Sequence, residues 1–252
     1  MKKYSIIALL VLLVMAPAAL FAGGASEKGP SDEWVFAADA TWPPLEFIDE
    51  NGKFTGFEVE LVTLLGEKVG YNFVPKNIPW DTIFAGLKNG NYDGVASGVT
   101  ITDERKLTMD FSTPILSAGQ IVIVPAGSAV ESIDDLEGKK VGVQIGTTGD
   151  FALEEYPVTI AKYDDIGLAI EDMLNGNVSA AVCDSLIASE FVLGNEGYAG
   201  KLKIAGEPFT TEDIAIAVTK GNTELLDLVN KALDIAMNDG SFDALKAKWN
   251  LL

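Results

Sequence analysis

Two periodic patterns of apolar residues alternate along the chain. Short apolar runs predict strands, whereas apolar residues three and four positions apart predict helices. The predicted strands are 35–38, 71–75, 94–96, 120–124, 140–143, 180–182 and 214–218. The predicted helices carry apolar stripes or start signals at 57–65, 83–87, 102–106, 146–150, 166–174, 186–193, 225–233 and 241–249, with Ser241 as the N-cap of the last one. This alternation predicts an α/β architecture.

Two segments of the chain repeat one arrangement. Residues 87–97 and 173–184 each contain a helix end, an Asn-Gly-Asn turn and an apolar strand that a polar residue follows. These polar residues are Ser97 and Asp184. Because ligands of open α/β sheets bind beyond the carboxyl ends of strands, two similar halves would bring both residues to one cleft. Chance similarity between short turns is the alternative explanation.

The N-terminus has the layout of a secretory signal peptide. Lys2 and Lys3 precede an apolar run, 6–22, that ends in small residues. We expect residues 1–22 to be removed on export to the periplasm and residues 23–33 to form a linker. An uncleaved membrane anchor is the alternative, because the run approaches the ~20 residues that span a bilayer. No cysteine lies near the cleavage point, so the sequence does not support a lipid anchor.

Composition narrows the classes of function. The chain has 252 residues, a formal net charge of −19, no histidine and a single cysteine, Cys183. Its length allows one large domain or two small ones. The acidity argues against nucleic acid and anionic membranes as partners, although acidity also serves solubility. The lack of histidine excludes His-based catalytic triads and His metal sites, and one cysteine cannot form an internal disulfide.

Residues 97–106 combine small hydroxyl residues, a helix start and an arginine. Thr102 is the predicted N-cap, and two acidic residues follow it in the first turn. Arg105 then presents a planar guanidinium that can pair with a carboxylate at two points. The segment therefore suggests a receptor for an anionic group. A strand, a turn and a surface arginine would give the same pattern.

Further polar and aromatic candidates follow the predicted strands. Two prolines restrict the loop 39–47, which carries Asp39 and Trp42. Asp39 suits the cationic or amide end of a ligand and Trp42 its aliphatic stem, with a turn cap and core packing as alternatives. Trp80 is either an opposing wall or a core residue. The Gly-Thr-Thr-Gly segment at 146–149 opens a helix, where backbone N–H groups bind carboxylates.

The candidate groups together match a free amino acid. Asp184 stands at a strand end, where its carboxylate can accept hydrogen bonds from an ammonium or cap the following helix. Arg105 and the helix start suit a carboxylate, and Asp39 with two indoles suits a side chain. Nothing pairs with a base to activate a nucleophile, so no catalytic residue is assigned.

Several stretches resemble, in family order, the small periplasmic solute-binding proteins of polar-amino-acid ABC transporters. They are 39–47, 56–61, 80–87, 100–106, 110–112, 141–144 and 146–149. The resemblance covers Trp34 to Trp249. It implies a type II periplasmic binding protein fold with two α/β lobes, two hinge strands and the ligand in the interlobe cleft. The implied lobes are 34–119 with 214–252 and 120–213, with hinges near Gly119-Gln120 and Asp213-Ile214.

The resemblance also implies a role for each candidate residue. Arg105 would bind the α-carboxylate with the backbone of Thr100 and Thr148, and Asp184 the α-amino group with help from Ser97. The residues that it implies as ligand-binding are Asp39, Trp42, Trp80, Ser97, Gly98, Thr100, Arg105, Gln144, Thr147, Thr148 and Asp184. Gln144 and the 77–81 stretch are most similar to the arginine/lysine-binding branch, since glutamine binders tend to have lysine at the position of Gln144.

From this resemblance we expect a monomeric periplasmic protein that delivers a basic L-amino acid to an ABC transporter permease in the inner membrane. We expect no cofactor, no metal and no enzymatic activity. Glutamine or another polar amino acid is the alternative ligand. An amino-acid sensor for a chemotaxis or signalling receptor and a periplasmic dehydratase on the same fold are the alternative functions.

Overall fold

The computed structural model describes residues 32–251, so the predicted signal peptide and residues 23–31 of the predicted linker lie outside the described residues. The strands in chain order are β1 (Glu33–Ala38), β2 (Thr41–Trp42), β3 (Glu46–Ile48), β4 (Phe54–Thr55), β5 (Asn72–Asn77), β6 (Gly94–Val95), β7 (Met109–Phe111), β8 (Leu116–Ala118), β9 (Gln120–Pro125), β10 (Lys140–Gln144), β11 (Thr159–Tyr163), β12 (Ala180–Asp184), β13 (Leu202–Ala205), β14 (Glu212–Ile214) and β15 (Ala217–Thr219). The α-helices are α1 (Phe57–Val69), α2 (Trp80–Lys88), α3 (Asp103–Lys106), α4 (Thr148–Leu153), α5 (Ile166–Leu174), α6 (Ser185–Ser189), α7 (Thr223–Asn238) and α8 (Ser241–Lys248). Within residues 32–251, none of the helices has the length and apolar character that crossing a membrane requires.

Two five-stranded sheets share one pairing pattern. The strand order is β5-β1-β6-β15-β7 in the first sheet and β11-β10-β12-β9-β13 in the second. In each sheet the first three strands are parallel to one another, and antiparallel pairing adds the last two. The strands of the repeated segments, β6 and β12, occupy the same central place. We call the first sheet with its helices lobe 1 and the second lobe 2.

A short antiparallel pair of strands, β8 and β14, connects the two lobes. The chain passes from β8 into β9 of lobe 2 and returns from β14 into β15 of lobe 1. The prediction of one strand over 214–218 is therefore wrong. Ile214 pairs with Leu116 in the hinge pair, whereas Ala217 pairs with Val95 in the sheet of lobe 1. A run of apolar residues predicts that a segment is buried. It does not reveal that the first part of the segment pairs with one strand and the last part with another.

The predicted helix starts are confirmed for two helices that flank the cleft and wrong for the last helix. Thr102 caps α3 by accepting a hydrogen bond from the backbone N–H of Arg105, and Thr147 caps α4. The N-cap of α8 is Gly240, with φ of 81°, and Ser241 is the first helical residue. Glycine adopts positive φ without steric cost, so it ends the preceding turn there. The helix predicted over 186–193 ends at Ser189 and continues as a π-helical turn.

Buried apolar side chains hold each sheet against its helices. In lobe 1, α1 packs on β5 and α7, and the rings of Phe36 and Phe73 lie 5.0 Å apart. In lobe 2, α5 packs on β10 and β12. Burying one such large apolar side chain stabilises a fold by about 1.5–3 kcal/mol. The packed strands give the polar residues at their carboxyl ends fixed positions.

Candidate functional site

A cavity of about 310 Å³ lies between the lobes, including the part that opens to solvent. Parallel strands of both sheets end at it, β1 and β6 from lobe 1 and β10 and β12 from lobe 2. Its lining residues are Asp39, Trp42, Trp80, Ser97, Gly98, Thr100, Arg105, Gln144, Thr147, Thr148 and Asp184. The structure therefore brings together every residue that sequence analysis proposed for ligand binding. Their contacts with a ligand stay a prediction.

Arg105 supplies a buried positive charge at the cavity. Its side chain packs 5.5 Å from the ring centre of Trp80 and 5.0 Å from that of Phe84, and it donates to the backbone oxygen of Thr100 at 3.0 Å. Within residues 32–251, no carboxylate oxygen lies within 4.0 Å of its nitrogens. Burial lowers the pKa of Arg105 to about 10, so the group is still cationic at neutral pH. An anionic ligand group would meet a guanidinium that forms no ion pair with any carboxylate among the described residues.

Asp184 supplies a buried carboxyl group on the side of lobe 2. Its oxygen accepts a hydrogen bond from Nε2 of Gln120 at 3.1 Å. Asp184 is the N-cap residue of α6, as the helix-cap alternative predicted, but its side chain accepts no capping hydrogen bond and is directed to Gln120 instead. Burial raises the pKa of Asp184 to about 7, and the nearby Glu212 carboxylate adds to the rise. A ligand ammonium beside Asp184 would favour its ionised form.

Asp39 supplies a second carboxyl group, which lies on lobe 1. The Nε2 group of Gln144 reaches across the cleft and donates to Asp39 at 3.2 Å, and it also donates to the backbone oxygen of Asp164. Burial raises the pKa of Asp39. Trp42 and Trp80, both more than nine-tenths buried, complete this end of the cavity. A cation lying there would find a carboxylate and two aromatic faces.

Two fully buried glutamates, which sequence analysis did not identify, hold Ser97 and Gly98 in place. The Ser97 hydroxyl accepts from the backbone N–H of Asp39 and donates to Glu46 at 2.8 Å, while the N–H of Gly98 donates to Glu58 at 3.0 Å. Burial raises the pKa of Glu58 to about 8, and burial beside Glu58 raises that of Glu46 well above its usual value. Because the Ser97 oxygen already accepts the N–H of Asp39, the Ser97 hydroxyl directs its own hydrogen to Glu46.

Two further polar residues, Gln120 and Glu212, come from the hinge region and bond to residues that line the cavity. Gln120 appeared in the sequence only as a hinge marker, and no motif identified Glu212. The Glu212 carboxylate accepts hydrogen bonds from the hydroxyls of Thr100 at 2.8 Å and Thr148 at 2.6 Å. The hydroxyl of Thr147 donates to the backbone oxygen of Gln144. The hydroxyl hydrogens of Thr100, Thr147 and Thr148 therefore already donate to acceptors within the protein.

Known protein sequences that are similar to this chain belong to amino-acid-binding proteins. The model of "Bacterial extracellular solute-binding proteins, family 3" matches residues 35–251. A probable histidine-binding protein of Neisseria gonorrhoeae is 36% identical over 230 residues, which cover 89% of this chain and 85% of that protein. The L-cystine-binding protein TcyJ of Escherichia coli K12 is also 36% identical, over 84% of this chain and 80% of that protein. A putative ABC transporter arginine-binding protein 2 of E. coli K12 is 33% identical over 92% and 96%.

Solved structures support the same relationship. An ancestral arginine-binding protein bound to arginine has a TM-score of 0.82 and 38% identity, over 88% of this chain and 99% of that one. The arginine-, lysine-, histidine-binding protein ArtJ of Geobacillus stearothermophilus has a TM-score of 0.81 and 36% identity, over 86% and 95%. The predicted two-lobe, type II periplasmic binding protein fold is confirmed. The match to the family model over nearly all described residues shows that the chain belongs to family 3 of the bacterial extracellular solute-binding proteins.

Proposed function

We propose that the protein binds a free basic L-amino acid in the interlobe cavity and delivers it to an ABC transporter permease. The observation that carries this proposal is the set of buried charges at the cavity. It contains one guanidinium, Arg105, and two carboxyl groups, Asp39 and Asp184, and these three side chains do not form ion pairs with one another. A basic amino acid carries the complementary set, one carboxylate and two cations.

Each buried group has one assigned partner on the ligand. Arg105 pairs with the α-carboxylate through its planar fork, which matches two carboxylate oxygens. Asp184 pairs with the α-ammonium. Asp39 pairs with the cationic end of the side chain, whose aliphatic stem lies between Trp42 and Trp80. Ser97, Gly98, Thr100, Gln144, Thr147 and Thr148 form the remaining walls and position these groups.

Charge balance favours a basic ligand over glutamine. With both carboxyl groups ionised the three cavity-lining side chains carry a net charge of −1, which a ligand of charge +1 complements and a neutral ligand does not; the nearby Glu212 carboxylate strengthens this preference. Glutamine would leave the Asp39 carboxylate buried beside an uncharged amide, and a buried charge without a partner is costly. The named ligands of related proteins include arginine, lysine, histidine and cystine, and the ancestral arginine-binding protein was also solved bound to glutamine.

The proposed mechanism is closure of the two lobes over the ligand. Lobe 1, residues 34–119 and 214–252, and lobe 2, residues 120–213, rotate about the β8–β14 hinge pair. Closure removes water from the charged contacts, each of which then contributes about 1.5–3 kcal/mol. Several such contacts give an affinity between micromolar and nanomolar, about −8 to −12 kcal/mol. We propose that the mature protein is a periplasmic monomer without catalytic activity.

The experiment is a thermal-shift panel of the twenty amino acids and ornithine, followed by calorimetry of those that raise the melting temperature. Arginine, lysine, ornithine or histidine should give the largest shifts. The control is Arg105→Lys, which keeps the charge but loses the two-point fork, and it should weaken binding of every amino acid. A response confined to glutamine or cystine would overturn the basic ligand, and no response to any amino acid would overturn the binding function.

A further inference from the structure

One carboxylate oxygen of Glu212 accepts a hydrogen bond from each lobe. The hydroxyl of Thr100, on lobe 1, donates to Oε2 at 2.8 Å, and the hydroxyl of Thr148, on lobe 2, donates to the same oxygen at 2.6 Å. The two hydroxyl oxygens lie 3.3 Å apart. Glu212 itself is the first residue of the hinge strand β14. The oxygen therefore joins three parts of the protein at the point where the lobes meet.

Lobe 2 holds the Glu212 carboxylate in a fixed orientation. Its second oxygen accepts from the hydroxyl of Thr210 at 2.7 Å, and that hydroxyl in turn accepts from the backbone N–H of Gln120 at 2.8 Å. The side chain is about nine-tenths buried. A carboxylate suits this position because it only accepts hydrogen bonds, whereas a neutral amide would turn one N–H₂ group toward a neighbouring donor.

The same hydrogen bonds continue to the proposed ligand site. Gln120 donates from Nε2 both to the hydroxyl of Thr148 at 3.2 Å and to Asp184 at 3.1 Å. On the other side, Arg105 donates to the backbone oxygen of Thr100. The network thus links the group proposed for the ammonium with the group proposed for the carboxylate. Because the threonine hydrogens go to Glu212, the hydroxyls cannot also donate to the ligand.

We propose that Glu212 is an interlobe clasp, a positioning residue that stabilises the closed conformation without touching the ligand. The inference rests on the proposed function, in which closure traps an amino acid. The clasp is complete only when Thr100 and Thr148 come together, so it stabilises the closed conformation and not the open one. Its loss speeds ligand release, leaves ligand entry unchanged and affects all amino acids by the same factor.

The test compares Glu212→Ala with Glu207→Ala, which removes another carboxylate of lobe 2. Glu207 is exposed and lies outside both the hinge pair and the cavity lining. Stopped-flow fluorescence of the cavity tryptophans gives association and dissociation rates for arginine, lysine and glutamine. Glu212→Ala should raise the dissociation rate roughly 10- to 150-fold, the factor expected when the closed conformation loses one interlobe hydrogen bond to a charged group. Glu207→Ala should match the parent, and Glu212→Gln should give a rate between those of the parent and Glu212→Ala.

Interlobe distances separate this inference from the proposed function. Spin labels at Leu107→Cys and Glu155→Cys report the separation of the lobes through two exposed positions, while Cys183 is buried. Glu212→Ala should show a smaller fraction of short distances than the parent, with and without ligand. Equal distances and equal dissociation rates would overturn the clasp, as would slower release. If the parent binds no amino acid, the proposed function is wrong. The clasp is then tested by the interlobe distances of the ligand-free parent and the ligand-free Glu212→Ala variant alone.

Discussion

Replacing Asp39 by asparagine tests the origin of the preference for a basic ligand. The substitution removes one negative charge and keeps the shape of the side chain. Asparagine also keeps an oxygen that can accept the hydrogen bond from Gln144, which now lies at 3.2 Å. The bridge between the lobes is therefore preserved, and the change isolates the charge that faces the end of the ligand side chain.

The magnitude follows from the burial of Asp39, of which 6% is exposed. A charge-assisted contact in such a site contributes about 1.5–3 kcal/mol, so arginine should bind roughly 10- to 150-fold more weakly. Glutamine carries no charge at this end, so its affinity should change by less than about threefold or improve. The expected result is thus a selective loss, which differs from the general loss at Arg105.

Calorimetry at pH 7.5 with arginine, lysine and glutamine measures this selectivity. The melting temperature of the ligand-free variant is the control. Because burial raises the pKa of Asp39, ionising it in the fold is unfavourable, and the variant should melt at the same temperature or higher. Equal losses for arginine and glutamine, or no loss for arginine, would refute the assignment of Asp39 to a ligand cation.

Two further predictions concern protons. Burial raises the pKa of Asp184 to about 7 without ligand, and a ligand ammonium should lower it. Binding should therefore release a proton and be roughly tenfold weaker at pH 6 than at pH 8. Calorimetry in buffers of different ionisation enthalpy measures the proton release, and proton uptake on binding would contradict the prediction. The pKa of Glu58 is raised to about 8, so its contribution to stability is complete below about pH 4.5 and is lost as the pH rises through 8. Glu58→Gln should therefore raise the free energy of unfolding at pH 8 by on the order of 1–3 kcal/mol, as measured by urea unfolding. An equal increase in the free energy of unfolding at pH 5 would contradict this prediction.

Local pattern was sufficient for most elements of the fold. The apolar stripe of α1 and the turn that ends α2 lie within single segments, so spacing and turn residues reveal them. Pattern failed where partners change along one apolar run, as between Ile214 and Ala217. It also failed for β2, β3 and β4, strands of two or three residues that are too short for a period to show.

The cavity residues were predictable because they follow motifs at strand ends. The residues that hold them in place were not. Glu46 contacts a serine 51 residues away, Glu58 a glycine 40 residues away, and Glu212 a threonine 112 residues away. No spacing rule connects such positions, and a glutamate in a strand or at a helix start has the ordinary appearance of a surface residue.

The sequence by itself determined the α/β architecture, the repeated halves and the groups that stand at the strand ends. The tertiary structure alone decided where the hydroxyl hydrogens point. Ser97 donates to Glu46, and Thr100 and Thr148 donate to Glu212. These bonds exist because folding and lobe contact bring buried carboxyl groups next to hydroxyls, and a polar group out of water needs hydrogen-bond partners. Chemistry at the strand ends is local, whereas the direction of each hydrogen bond depends on the packing of distant segments.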